Sequence, residues 1–140
     1  MSLQVSLGFH GNGREALEFY AKIFGFPMPQ VMTYGEMPPD PAYPITEEVK
    51  QLIMYTNFEI MGVTCMLSDW PPEMAYVVGR NIGLMVVTRD ADEIRRLYEA
   101  LKEGGTVDME LAATFWSELY GMVTDKFGVQ WQLNMCCDTP

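Results

Sequence analysis

The chain has 140 residues, 49% of them apolar and 20% charged, a length and balance that fit one globular domain with a core of its own. Nine Lys and Arg against nineteen Asp and Glu leave a formal charge of −10, which argues against nucleic acid and against an anionic membrane surface, since both need a basic face. No run approaches the roughly eighteen apolar residues of a membrane span.

The first residues, MSLQVSLGF, lack the basic and long apolar regions of a signal peptide. Three cysteines, Cys65, Cys136 and Cys137, make no disulfide framework. A cytoplasmic location is expected. Residues 3–9 alternate apolar with small or polar side chains and predict a strand. Asn12 is expected to cap a helix, with Glu15 at its third position in a capping-box variant. Ala16, Leu17, Tyr20, Ile23 and Phe24 form one apolar stripe, and Gly25 ends the helix. A short strand at 29–34 leads into a loop rich in proline and acid, from Gly35 to about Val49. Strands are predicted at about 51–59 and 62–68, the second holding Cys65 as a small buried hydrophobe.

The second half follows the same order. A strand at 81–88 precedes a helix capped by Asp90, with Glu93 completing a D-x-x-E box. Ile94, Leu97, Tyr98 and Leu101 form its stripe, and Gly104-Gly105 ends it. Strands are expected at about 106–112, 115–124 and 129–135, and Cys136-Cys137 falls in a frayed tail. Asp125 opens a structural hairpin before the last strand, where Asp and Gly suit the turn. Asn12 superimposes on Asp90 with a spacing of 78, and Tyr20 then falls on Tyr98. Gly62-Val63 and Leu67 match Gly128-Val129 and Leu133 with a spacing of 66. The first copy therefore carries a loop insertion, assigned to 35–49. Two strand-helix-strand-strand-strand units are expected, about 1–75 and about 78–140, within one α+β domain. Such repeats arise where one unit cannot bury its apolar face alone.

The segments Gly11–Tyr20 (GNGREALEFY), Tyr34–Pro38 (YGEMP), Leu67–Pro72 (LSDWPP), Thr114–Trp116 (TFW) and Val123–Trp131 (VTDKFGVQW) span nearly the whole chain. In that order they resemble the vicinal oxygen chelate superfamily, which includes glyoxalase I, bleomycin-resistance proteins and extradiol dioxygenases. Within it they look most like the PhnB-like, demethylubiquinone methyltransferase-like branch. The resemblance implies paired βαβββ units forming a curved mixed sheet around a concave cleft, with helices on the convex side, and a homodimer. It also implies that the cleft often holds a divalent metal on His and Glu side chains from the first and last strands of each unit.

The residues depart from that metal pattern. The positions aligned with the ligands carry Val5, Met66, Gly83 and Gln132, with Gln4, Thr64 and Asn81 as near alternatives. None is an imidazole or carboxylate, and amides and thioethers do not hold Zn²⁺, Ni²⁺, Fe²⁺ or Mn²⁺. The single histidine, His10, follows the first strand and reads as a turn residue. No metal and no cofactor is expected. Gly11–Gly13 is the nearest approach to a cofactor-binding glycine loop, and a cap and tight turn explain it.

Alternation in the last strand sets Trp131 and Leu133 on the helix-packed face and Gln130, Gln132 and Asn134 on the other. The matching first-half strand presents Thr64, Met66 and Ser68. This predicts a polar, uncharged wall able to hydrogen-bond a ligand. Trp116, Glu118 and Tyr120 are expected on one face of a strand, where an aromatic pair and a carboxylate suit a flat or cationic ligand. Trp70 is expected at a cleft mouth. Glu36, if buried, could serve as a general base. The expected function is metal-free binding of a small molecule, in the manner of the bleomycin-resistance members. The alternatives are a metal-free enzyme using a cleft carboxylate, a metal-dependent lyase or dioxygenase, and a methyltransferase.

Overall fold

In a computed structural model, which describes residues 1–136, the chain forms two compact units, Met1–Tyr76 and Val77–Pro140. Each contains a four-stranded mixed sheet and one long helix, with the same strand order in both. The fold class is α+β with two βαβββ modules.

In the first unit, β1 (Val5–Phe9) leads to α1 (Gly13–Phe24), then to β2 (Met32–Thr33), β3 (Ile53–Ile60) and β4 (Val63–Asp69). The sheet order is β1-β4-β3-β2, with β1 and β4 parallel and the other pairs antiparallel. Ala16, Leu17, Tyr20 and Ile23 of α1 bury against Phe9, Ile53, Cys65 and Leu67. The expected stripe forms the core, except that Phe24 is only half-buried. Gly25 adopts the left-handed conformation that closes the helix.

The start of α1 differs from expectation. Asn12 makes no side-chain capping bond. The N-terminal amides turn instead to Asp69, at the far end of β4: its Oδ1 accepts from Gly11 N at 3.1 Å and Gly13 N at 2.8 Å. A buried carboxylate reaches two orphan donors and the positive end of the helix at once. Asn12 itself stays exposed.

The predicted strand 29–34 shrinks to the two residues of β2. The segment after it holds a 3-10 turn at Tyr34–Glu36 and one turn of helix, α2 (Glu47–Lys50), before β3 begins. The proline-rich insertion therefore lies in the β2–β3 connection.

The second unit comprises β5 (Leu84–Thr88), α3 (Ala91–Lys102), β6 (Thr106–Ala112), β7 (Tyr120–Thr124) and β8 (Gln130–Met135), in sheet order β5-β8-β7-β6. Ile94, Leu97 and Leu101 of α3 pack on Val86, Val123, Trp131 and Leu133. Asp90 caps α3, accepting from the amides of Asp92 and Glu93. Glu93 does not return the bond: it pairs with Arg96 instead, and Asp90 N donates to Thr88 Oγ1.

Two other expectations change here. The strand predicted at 115–124 begins only at Tyr120. Of the cysteine pair, Cys136 is half-buried and Cys137 lies outside the described residues. The β7–β8 hairpin is organised by Asp125, as expected. Its buried carboxylate accepts from Phe127 N, Val129 N and Trp131 Nε1. No helix among the described residues is long and apolar enough to cross a membrane.

Candidate functional site

Each sheet has one face covered by its helix and one face without a helix. In the first unit the open face carries the even-numbered residues of β4. Met66 lies between Ser6 of β1 and Asn57 of β3, and Thr64 lies opposite Glu59. Thr64, Met66 and Ser68 are each half-buried, so the face predicted for them is the one they occupy. Asn57 Nδ2 donates to Tyr55 Oη at 2.8 Å beside them.

Trp70 closes the end of this face. Its main-chain amide donates to Phe9 O, and its indole lies over Gly8, where a Cβ would fall 2.3 Å from Nε1. Only glycine permits that approach. Tyr76 packs edge-on against Trp70, stacks on His10 and donates its hydroxyl to Gly8 O at 2.9 Å. Tyr34 donates to Asp69 O at 2.7 Å. Burial, reinforced by the Asp69 and Glu73 carboxylates, raises the Tyr34 pKa. Burial and then Asp69 do the same for Tyr76. Both phenols are held neutral, as hydrogen-bond donors.

Glu36 is exposed rather than buried. Its carboxylate reaches back to Thr33, accepting from the amide at 2.6 Å, which fixes the 3-10 turn and leaves it in contact with water. Glu36 therefore lacks the burial that would suit it to act as a general base.

In the second unit, Gln132 lies between Met85 and Met122, and Asn134 between Val87 and Tyr120. Trp131 and Leu133 are buried on the opposite side. Tyr120 donates its hydroxyl to Gln132 Oε1 at 2.7 Å and packs edge-on against Trp116, with ring centroids 5.4 Å apart. Gln130 is buried. With its amide nitrogen toward Arg80 O (2.8 Å) and its oxygen toward Arg80 Nε (3.3 Å), it is fully engaged with that residue.

Trp116 and Glu118 therefore do not share a strand face with Tyr120, but Trp116 still packs on Tyr120, and Glu118 lines one pocket with Trp116. They belong to the connection between β6 and β7, whose shape depends on a residue that no sequence pattern singled out. Ser117 is buried; its hydroxyl lies 2.9 Å from Leu119 O and 3.0 Å from Met135 O, and it accepts from Leu119 N. Its amide donates to Thr114 Oγ1. These bonds pin the loop to β8 and hold Phe115, Trp116 and Glu118 outward around an open pocket of about 470 Å³ that Asn134 also lines.

Among the described residues, neither open face offers a ligand set for a divalent cation. Val5 pairs with buried Cys65 and so lies on the helix side of its sheet. Met66 and Gln132 lie on the open faces with thioether, hydroxyl and amide neighbours. Gly83 has no side chain to contribute. Among the described residues no three His, Cys, Asp or Glu side chains cluster closely enough to hold a metal ion. The donors present do not fit a Zn²⁺- or Fe²⁺-type centre.

Protein YjdN from Escherichia coli K12 is 31% identical over 149 aligned positions, covering 100% of this chain and 99% of that protein. The crystal structure of protein PA1353 from Pseudomonas aeruginosa is 34% identical with a TM-score of 0.79, covering 96% and 98% of the two chains. The PhnB protein from Bacillus cereus is 24% identical with a TM-score of 0.75, covering 97% and 100%, a likeness of fold. The family model for 3-demethylubiquinone-9 3-methyltransferase matches residues 2–134. The chain thus belongs to this PhnB-like family over nearly its whole length.

Proposed function

We propose that this chain binds a small organic molecule without a metal, as a glyoxalase/bleomycin-resistance-type member of the vicinal oxygen chelate superfamily. The observation that carries the reading is the Tyr120–Gln132 hydrogen bond, with Trp116 against Tyr120 and Asn134 beside it. A few polar, uncharged groups fixed among apolar and aromatic ones are the usual makeup of a ligand pocket. Thr64, Met66 and Trp70 supply a similar mixture on the first unit. Gln130 has a supporting place, through Arg80.

Methyl transfer finds little support in the residues. A typical S-adenosylmethionine enzyme uses a doubly wound parallel sheet and a glycine-rich loop with free amides. Here each sheet contains a single parallel pair. The amides of Gly11 and Gly13 are bonded to Asp69. An enzyme using Glu36 as base is not favoured either, since that carboxylate is exposed and tied to Thr33.

Native mass spectrometry after incubation with a cell-derived small-molecule extract tests the reading. A bound organic mass that is lost in Gln132→Ala is the expected result, carried by a twofold dimer. A stoichiometric metal that leaves on chelation would overturn the metal-free assignment. A spectrum without any organic adduct would overturn the binding role.

A further inference from the structure

The pocket beside β8 has a chemical character that narrows its ligand class. Building on the small-molecule reading above, we infer that the pocket lined by Phe115, Trp116, Glu118 and Asn134 takes a planar organic cation bearing N–H donors.

Three independent features converge there. The first is aromatic surface. Phe115 is 97% exposed and Trp116 52% exposed, yet their rings pack edge to face at 4.8 Å. Exposed aromatics of this size on a frayed loop would be unremarkable, but Ser117 anchors this loop to Leu119 and Met135. The backbone that carries the rings is therefore held in place, so less of the loop has to be ordered when a flat ligand stacks on them. Aromatic faces attract cations through the ring quadrupole.

The second feature is charge. Among the described residues lining the pocket, Glu118 is the one charged side chain. The whole chain carries −10, so a cation is drawn toward this surface and an anion repelled. Among the described residues, no lysine or arginine lines the pocket to receive a carboxylate or phosphate.

The third is an unmet hydrogen bond. Among the described residues, Asn134 Oδ1 is buried and accepts no hydrogen bond. Buried acceptors are nearly always paired, and this one belongs to a residue that lines the pocket. An N–H donor on the ligand would satisfy it once the Asn134 amide turns toward the pocket. A quaternary ammonium or a hydrocarbon would not. The pocket volume of about 470 Å³ lies in the range of small-molecule sites.

Isothermal titration with proflavine, a flat amino-substituted cation, tests the inference against acridine-9-carboxylate, a flat anion. Salt at about 0.15 M screens general attraction to the acidic surface. Proflavine should bind, and the anion should bind at least about tenfold more weakly. Trp116→Ala should weaken proflavine about tenfold, and Glu118→Gln about threefold. Tyr43→Ala, an exposed residue of the first unit, should leave binding unchanged. Asn134→Leu separates ligand pairing from a structural role: thermal stability should hold or rise while proflavine affinity falls. Equal affinity for cation and anion, or proflavine binding indifferent to Trp116→Ala and Glu118→Gln, would overturn this inference. An organic adduct in native mass spectra with no proflavine binding would overturn it and leave the small-molecule reading intact. The absence of any adduct and of any probe binding would overturn both.

Discussion

Asp69 and Gly13 meet so closely that neither can change without the other. The Gly13 amide lies 2.8 Å from Asp69 Oδ1, and a Cβ on Gly13 would fall 2.8 Å from that same oxygen. The other carboxylate oxygen, Oδ2, accepts from Ile53 N at 2.9 Å. One buried side chain thus ties the start of α1 and the start of β3 to the end of β4.

Removing that carboxylate leaves three donors without it. Asp69→Ala is expected to destabilise the first unit by about 3 kcal/mol, because buried donors that lose a charged acceptor are costly. Asp90→Ala should cost only about 1 kcal/mol, the usual range for an exposed N-cap. Urea denaturation followed by circular dichroism measures both. Equal losses for the two variants would contradict the distinction drawn between them.

Gly8 is expected to be intolerant of even a methyl group. Gly8→Ala should displace the Trp70 indole and cost about 1–3 kcal/mol through overpacking. The double variant Gly8→Ala/Trp70→Ala should show strong coupling, because without the indole the methyl has room. Denaturation midpoints of the four proteins close the cycle. Additive losses would mean that the methyl meets something other than Trp70.

Ser117→Ala should loosen the segment that presents Phe115 and Trp116. The hydroxyl is buried and serves three main-chain partners, so its loss is expected to cost about 1–3 kcal/mol. Amide hydrogen exchange should accelerate at Leu119 and Met135, whose amides belong to this bonded segment. Unchanged protection at both positions would show that the loop holds its shape without the serine.

Alkaline pH should weaken the first unit through Tyr34. Burial, then Asp69 and Glu73, raise its folded pKa above the ordinary 10.0. The unfolded chain ionises first as pH rises, so the associated stability is complete below pH 10.0 and is lost as the pH climbs through the folded value. Tyr34→Phe should start less stable, having lost the bond to Asp69 O, and should lose less on alkalinisation. Phenolate absorbance and urea midpoints at neutral and alkaline pH would show this. Identical alkaline losses in both proteins would sink the assignment.

Much of the fold could be read from periodicity. The two helices, the positions of Leu17 and Leu97 in them, and the alternation of Trp131 with Gln132 follow from local pattern. Asp125 was readable because a turn uses its own neighbours. Asp69 was not, because it serves amides up to 58 residues away, while Asn12 offered a nearby side chain of the right chemistry. The strand expected from Phe115 onward failed for a similar reason. Its residues favour extended structure, but Ser117 hydrogen-bonds to Leu119 and Met135 and turns the chain before Tyr120. Trp116 and Tyr120 were expected together and are found together, by ring packing across a bend and not by strand alternation. The exposure of Glu36 depends on the course of the inserted loop, which has no periodic signal.

The two long helices also differ in when they can form. Asp90 lies next to α3 and travels with it, so α3 can acquire its cap as soon as the local chain turns. Asp69 reaches α1 only after the intervening segment has closed and β4 has docked. Closing so long a loop costs chain entropy before any contact repays it. The unfolded chain should therefore gain its second helix early and its first late. Conditions that delay the docking of β4 would leave Gly11, Gly13 and Ile53 with open amides and a hydrophobic helix face unprotected.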